Sequence, residues 1–222
     1  MSMILSRDRT FKKEAPSEDA KKFIIVCEGA RSEADYFRYF QELDSRVEVE
    51  VISPETGDNN SPTGLLEKVL RLTTIGPNGE APKYEIVEGD EIWFVIDTDD
   101  WGDKIDELKA RVADQQNMFV AQSNPCFEAW LCYHFSADRQ EFVGDNSPQN
   151  WKKHLPTLTD RNFNSKTHPI HIQRALDAAK ANYEELAGKP QKGSTEVFKL
   201  AEKIYELIGP KIDSALLKMT KE

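Results

Sequence analysis

The stretch EIWFVIDTDDWG, residues 91–102, decides the reading of the fold. Five apolar residues in succession, 92–96, leave no face for solvent, so the segment reads as a strand covered on both sides. KFIIVC (22–27) has the same character and runs into Glu28-Gly29. VEVEVI (47–52) alternates with period two, and NMFVAQ (117–122) supplies a fourth strand. Between these runs the pattern turns helical. A helix opens near Ser32 with Tyr36, Phe37, Phe40 and Leu43 at core spacing. A turn-rich loop (53–64) leads to a short helix over 65–74, and 75–90 reads as a loop or hairpin insertion. A polar helix comes next near 103–116, and Pro125 suits the first turn of a helix reaching 135. Strand alternating with helix predicts an α/β fold, a parallel four-stranded sheet flanked by helices.

Working outward, residues 1–20 read as a polar, basic and mobile arm, 21–136 as the α/β domain, and 137–222 as a mainly helical extension. Within the extension, 148–169 reads as irregular and basic; helices are expected over 170–187 and 195–208, with a last one after Pro210. The 222 residues are 39% hydrophobic and 31% charged, enough for a core and against wholesale disorder. No apolar run approaches the ~18 residues of a membrane span, and MSMILSRDRTFKKE is too polar for a signal peptide. Three cysteines without a CxxC argue against a disulfide framework or zinc ribbon, so a reducing cytoplasm is the expected compartment. Net charge is −10, divided unevenly: 15 basic against 27 acidic residues in 1–136, then 14 against 12. A polyanion would therefore meet the second part, the basic arm, or a metal-loaded site.

Ligands of open parallel sheets sit at the carboxyl ends of the strands. Here those ends deliver Glu28, then Asp97, Asp99 and Asp100, then Glu128 shortly beyond the fourth strand. In extended chain Asp97 and Asp99 point the same way. Two carboxylates ~4 Å apart repel by about 4 kcal/mol at an effective dielectric near 20. A hard divalent cation removes that cost, and Mg²⁺ typically takes one or two carboxylates while keeping waters for substrate phosphates.

Glu28-Gly29 followed about seventy residues later by DxDxxG (97–102) resembles the signature of the Toprim superfamily. FIIVCEGARSEADYF (23–37), FVIDTDD (94–100), SNPCFEAWLCYHF (123–135) and GSTEVFKLAEKI (193–204) resemble the motifs of the RloB family, across nearly all of the chain beyond residue 20. A departure falls at Ala30-Arg31-Ser32-Glu33, where family members more often carry Glu or Lys and then Thr-Glu. The resemblance implies a Toprim-like, Rossmann-like fold and Mg²⁺- or Mn²⁺-dependent nuclease chemistry in bacterial, restriction-associated antiviral defence, beside an ATPase partner. Carried over, Glu28 is the acid/base and Asp97 and Asp99 complete the catalytic set. Glu28, Asp97, Asp99, Asp100 and Glu128 form the metal group, and Ser123 and Asn124 hold a phosphate. The substrate would be DNA or RNA.

Other readings start from the same residues. Asp97 could be the nucleophile of a haloacid-dehalogenase-like phosphatase, although its strand lies in mid-chain and Glu28 has no role there. A Toprim-fold binding or regulatory subunit without catalysis is the alternative from another class. His134 reads as a core residue, and His168 and His171 lack the i,i+4 spacing of a metal pair. Residues 151–174 interleave Trp151, Lys152, Lys153, Arg161 and Phe163. They form either a grip on a phosphate backbone, through Lys152, Lys153 and Arg161, or a connector whose aromatics dock on the sheet.

Overall fold

The computed structural model describes residues 6–98, 101–139, 146–159 and 162–219. Asp99, Asp100 and Arg161 lie outside the described residues. The four expected strands form as β1 (Lys21–Cys27), β2 (Val47–Ile52), β3 (Glu91–Asp97) and β4 (Met118–Ser123). All pair in parallel, in the order β2-β1-β3-β4. This is an α/β sheet of Rossmann-like kind.

The continuous apolar runs serve two cores at once. Phe23, Ile25, Cys27, Trp93 and Val95 enter one; Ile24, Val26, Ile92, Phe94 and Ile96 enter the other. Helices α2 (Ser32–Arg38), α5 (Glu128–Cys132), α7 (Ile172–Ala181) and α8 (Val197–Met219) contribute to the first core. Helices α3 (Pro62–Thr73) and α4 (Asp103–Val112) close the second. Each fully buried Phe or Ile contributes roughly 1.5–3 kcal/mol relative to exposure.

Where the structure departs from the sequence reading, local chemistry accounts for it. The segment expected as a mobile arm is docked from residue 6 onward, with a one-turn helix α1 (Arg7–Thr10). The buried Arg7 guanidinium donates to the Tyr39 carbonyl at 3.1 Å and to the Gln41 carbonyl. Helix α3 starts earlier than predicted because Ser61 accepts from Gly64 N at 3.2 Å and Pro62 fits the first turn. Ser147 and Pro148 repeat that pattern and open α6 (Pro148–Leu158), so much of the segment read as irregular is helix. Its sequence signal was faint, since only Trp151 and Leu155 are buried. Pro125 does not begin a helix: it comes after a cis peptide bond with Asn124, and α5 starts at Glu128.

The helix expected over 170–187 stops at Ala181 and gives way to a ribbon of β5 (Glu185–Leu186) and β6 (Lys189–Pro190). Ala187 and Gly188 between them both have positive φ, 51° and 76°, as a primed hairpin turn requires. Pro210 does not divide the last helix; α8 runs through it. A proline cannot donate to the carbonyl four residues back and pushes that turn open. The carbonyl so left is that of Glu206; the next one, of Leu207, accepts from the Arg46 guanidinium. Among the described residues no helix is long and apolar enough to cross a membrane.

Candidate active site

The strand order reverses between β1 and β3, because the chain leaves β1 toward β2 and returns on the other side to β3 and β4. A crevice opens at the carboxyl ends of such a pair. Glu28 comes directly after β1, its N–H donating to the Val95 carbonyl at 3.2 Å. Asp97 closes β3, and its N–H donates to Glu28 Oε2 at 3.0 Å. The Glu28 carboxylate is thereby oriented at the main chain of Asp97, and both residues are half-buried. Two strand ends 69 residues apart in sequence place their acids in one crevice.

Further acids approach from the helices. Glu128 is buried on α5. Burial pushes the Cys126 thiol up, and the charges of Glu128 and Asp97 push it further. Glu33, on the first turn of α2, is buried as well. Burial raises its pKa; hydrogen bonds from its own and the Gly29 backbone and the charge of Lys152 pull the other way, while Glu128 adds to the rise. Gly29 leaves room for the Glu33 carboxyl: a Cβ there would stand 2.2 Å from Glu33 Oε2, so Glu33 would have to turn away. Sequence reading passed over Glu33. The available signal was its place five residues after Glu28, in the first turn of the next helix.

Ser123 and Asn124 hold the scaffold of the crevice. Asp97 and Ser123 are register partners in the sheet. The Ser123 carbonyl accepts from Thr98 N at 3.0 Å and Thr98 Oγ1 at 2.7 Å, and Gln122 Nε2 donates to Thr98 Oγ1 at 2.8 Å. The fully buried Ser123 hydroxyl meets Thr195 Oγ1 at 2.8 Å across an isolated antiparallel bridge. Asn124 N donates to the Ser194 carbonyl at 2.9 Å, Gly193 N to the Asn124 carbonyl at 2.8 Å, and Glu196 N to the Gln122 carbonyl at 2.8 Å. Thus 193–196 lies along the edge of β4 through one isolated bridge and its flanking hydrogen bonds, and Ser194, read from the sequence as a helix cap, is part of this segment. The Asn124 side chain donates to the Pro190 carbonyl at 2.8 Å.

Lys152 and Lys153 are exposed on α6. Lys152 lines a cleft of about 290 Å³ together with Glu128, Arg31 and Phe163. Trp151 is buried, and Phe163 is half-buried against Tyr36 of α2 and His134 rather than against the sheet. His134 is a core residue: Trp130 O accepts from its Nδ1 at 3.3 Å when that nitrogen carries the proton, and Tyr36 OH lies 3.3 Å from Nε2.

Glu28, Asp97 and Glu128 offer oxygen donors, the chemistry preferred by Mg²⁺ and Mn²⁺. Among the described residues no group of three His, Cys, Asp or Glu is placed to hold a metal ion; the expected ligands Asp99 and Asp100 fall outside them. The donor chemistry of the pair at the crevice fits a hard cation that keeps part of its water shell.

Comparison with known proteins gives one match. Residues 23–204 fit the family model described as RloB-like protein, which covers most of the chain. No curated protein matches the chain, and no solved structure does.

Proposed function

The chain belongs to the RloB-like family, and from that premise we propose that it is a Mg²⁺-dependent nuclease hydrolysing phosphodiester bonds of DNA or RNA. The observation that carries the reading is the 3.0 Å bond from Asp97 N to Glu28 Oε2, which fixes the Glu28 carboxylate against the main chain of Asp97 at the strand-order reversal. Glu28, Asp97 and Asp99 would hold the metal, and Asp100 and Glu128 are the further carboxylates that the resemblance adds to the group. When bound, Mg²⁺ or Mn²⁺ supplies charge stabilisation and orientation of the phosphate. Glu28 takes a proton from the attacking water or returns one to the leaving oxygen, its carboxylate kept in position by the Asp97 amide. The resemblance of the four sequence motifs supplies the setting: an effector of bacterial antiviral defence acting with an ATPase.

The test is cleavage of single- and double-stranded DNA and RNA with and without Mg²⁺, by the protein alone and with the product of a neighbouring ATPase gene. Glu28→Gln and Asp97→Asn should each lower the rate by roughly 10²-fold or more. Undiminished cleavage in both variants would refute the site. Metal binding that depends on Asp97, with no cleavage of any substrate, would favour a binding or regulatory subunit instead.

A further inference from the structure

We infer that two adjoining clefts beside Glu128 form a track for a single strand of nucleic acid, with one nucleotide between Arg31 and Lys152 and the strand continuing past Ser165 to Arg38 and Lys166. The inference rests on the nuclease reading of the carboxylate crevice. The first cleft, about 290 Å³, and the second, about 340 Å³, share Asp35 and Ser165 as lining residues, so they lie next to one another on the surface. Each volume lies near the lower end for small-ligand pockets, roughly 300–1,000 Å³, suited to one nucleotide unit and too small for a duplex.

Charge supports the same occupant. Arg7, Lys13, Arg31, Arg38, Lys152 and Lys166 line the two clefts, against Asp8, Asp35, Glu42 and Glu128. That is a basic excess in a chain of net charge −10. Arg31 and Lys166 are exposed and form no ion pair among the described residues, so a phosphate meets them without displacing a protein carboxylate. Arg38 is shared with Asp35 at 2.9 Å and Ser53 Oγ at 3.2 Å. The first cleft also has an apolar wall of Leu131, Leu155, Pro156 and Phe163. The Phe163 ring is held by Phe135 and His168 at 6.0 and 5.2 Å, a fixed aromatic surface for an unstacked base. Glu128, which lines this cleft, opens the helix that follows β4, and the last residue of β4, Ser123, is the register partner of Asp97.

The experiment is fluorescence anisotropy of a labelled oligothymidylate and of its duplex with oligoadenylate, titrated with the full chain in EDTA at several salt concentrations. Arg31→Glu with Lys152→Glu is compared with Lys12→Glu and Lys218→Glu, a charge-matched pair in a separate cleft between the first residues and the end of α8. The parent should prefer the single strand. The first pair should weaken binding at least tenfold and flatten the salt slope by roughly 1.4, since each single-strand phosphate contact contributes about 0.7. The control pair should weaken it much less. Absence of single-strand binding by the parent, equal losses in both pairs, or preference for duplex would each overturn the track. The nuclease reading fails separately: binding that depends on Arg31 and Lys152 with no cleavage under Mg²⁺ keeps the track and removes the hydrolysis.

Discussion

Acidification from pH 7 to pH 5 should destabilise this protein through its histidines, the buried His134 foremost, with His168 and His171, whose pKa values burial also lowers, acting in the same sense. Burial among Tyr36, Trp130 and Phe163 lowers the His134 pKa from 6.5 to about 3, with small further contributions from His168 and His171 and an opposing one from the Trp130 carbonyl. The folded state thus refuses a proton that the unfolded chain accepts at 6.5. Stability is full above 6.5 and falls as the pH drops toward 3, at about 1.4 kcal/mol per unit. Between pH 7 and pH 5 the loss through His134 is about 2 kcal/mol, and it changes little so long as the folded pKa stays below 4. For a chain of this length that is roughly 4–8 °C in melting temperature. Glu33 acts in the opposite sense: its raised pKa means that acidification through that value relieves strain. The His134 contribution is therefore isolated as a difference. Urea unfolding of the parent and of His134→Gln is measured at both pH values, and the variant should lose about 2 kcal/mol less than the parent. Equal losses would refute the assignment of a neutral, buried imidazole.

Mg²⁺ or Mn²⁺ should stabilise the fold by about 2.7 kcal/mol at a hundredfold excess over Kd, read as a rise in melting temperature, and Asp97→Asn should abolish the response; a response that survives would move the metal elsewhere. Gly29→Ala should destabilise, because its Cβ would meet the Glu33 carboxyl at 2.2 Å, and adding Glu33→Ala should recover part of the loss in denaturant titration. If the double variant is worse than the single, the clash is not the cause. Thr195→Val should cost about 1–3 kcal/mol by leaving the buried Ser123 hydroxyl without its 2.8 Å partner; a change under about 0.5 kcal/mol, read from the same titration, would show that the bridge contributes little.

The strands were readable because their signal is local and redundant. Phe23 to Cys27 and Ile92 to Ile96 are buried on both faces, and only a sheet between two helical layers satisfies such runs. The helices of the second half were less readable. At Pro210 the sequence shows a breaker; the donor that meets the turn before it is Arg46, 161 residues earlier than the Leu207 carbonyl it reaches. At 148–158 the capping residues Ser147 and Pro148 were visible, but two buried side chains give too weak a period to set against the surrounding polar residues.

The same division runs through the candidate site. Glu28 and Asp97 could be found by reading the residues after each apolar strand, since a strand end is defined by its immediate neighbours. Glu33 could not, because its burial comes from Gly29 and from the approach of Glu128 and Lys152, three separate segments. The motif GSTEV has both a local and a distant role. Read locally, a serine and a threonine before an apolar run signal a helix cap, and α8 does begin at Val197. Read in the fold, Ser194 to Glu196 pair with Gln122 to Asn124, more than seventy residues away, and cover the open edge of β4 beside the crevice. The Ser194 hydroxyl does not cap the helix: it accepts from Glu184 N at 3.0 Å, and it is Thr195 Oγ1 that accepts from Val197 N at 3.2 Å. Glu196 joins the two segments: its carboxylate accepts from Gln122 N at 3.2 Å while meeting Lys199 at 2.6 Å, tying the first turn of α8 to the strand that supports Thr98 and Asp97. The start of α8 is thereby anchored on the same edge of β4 that it helps to cover.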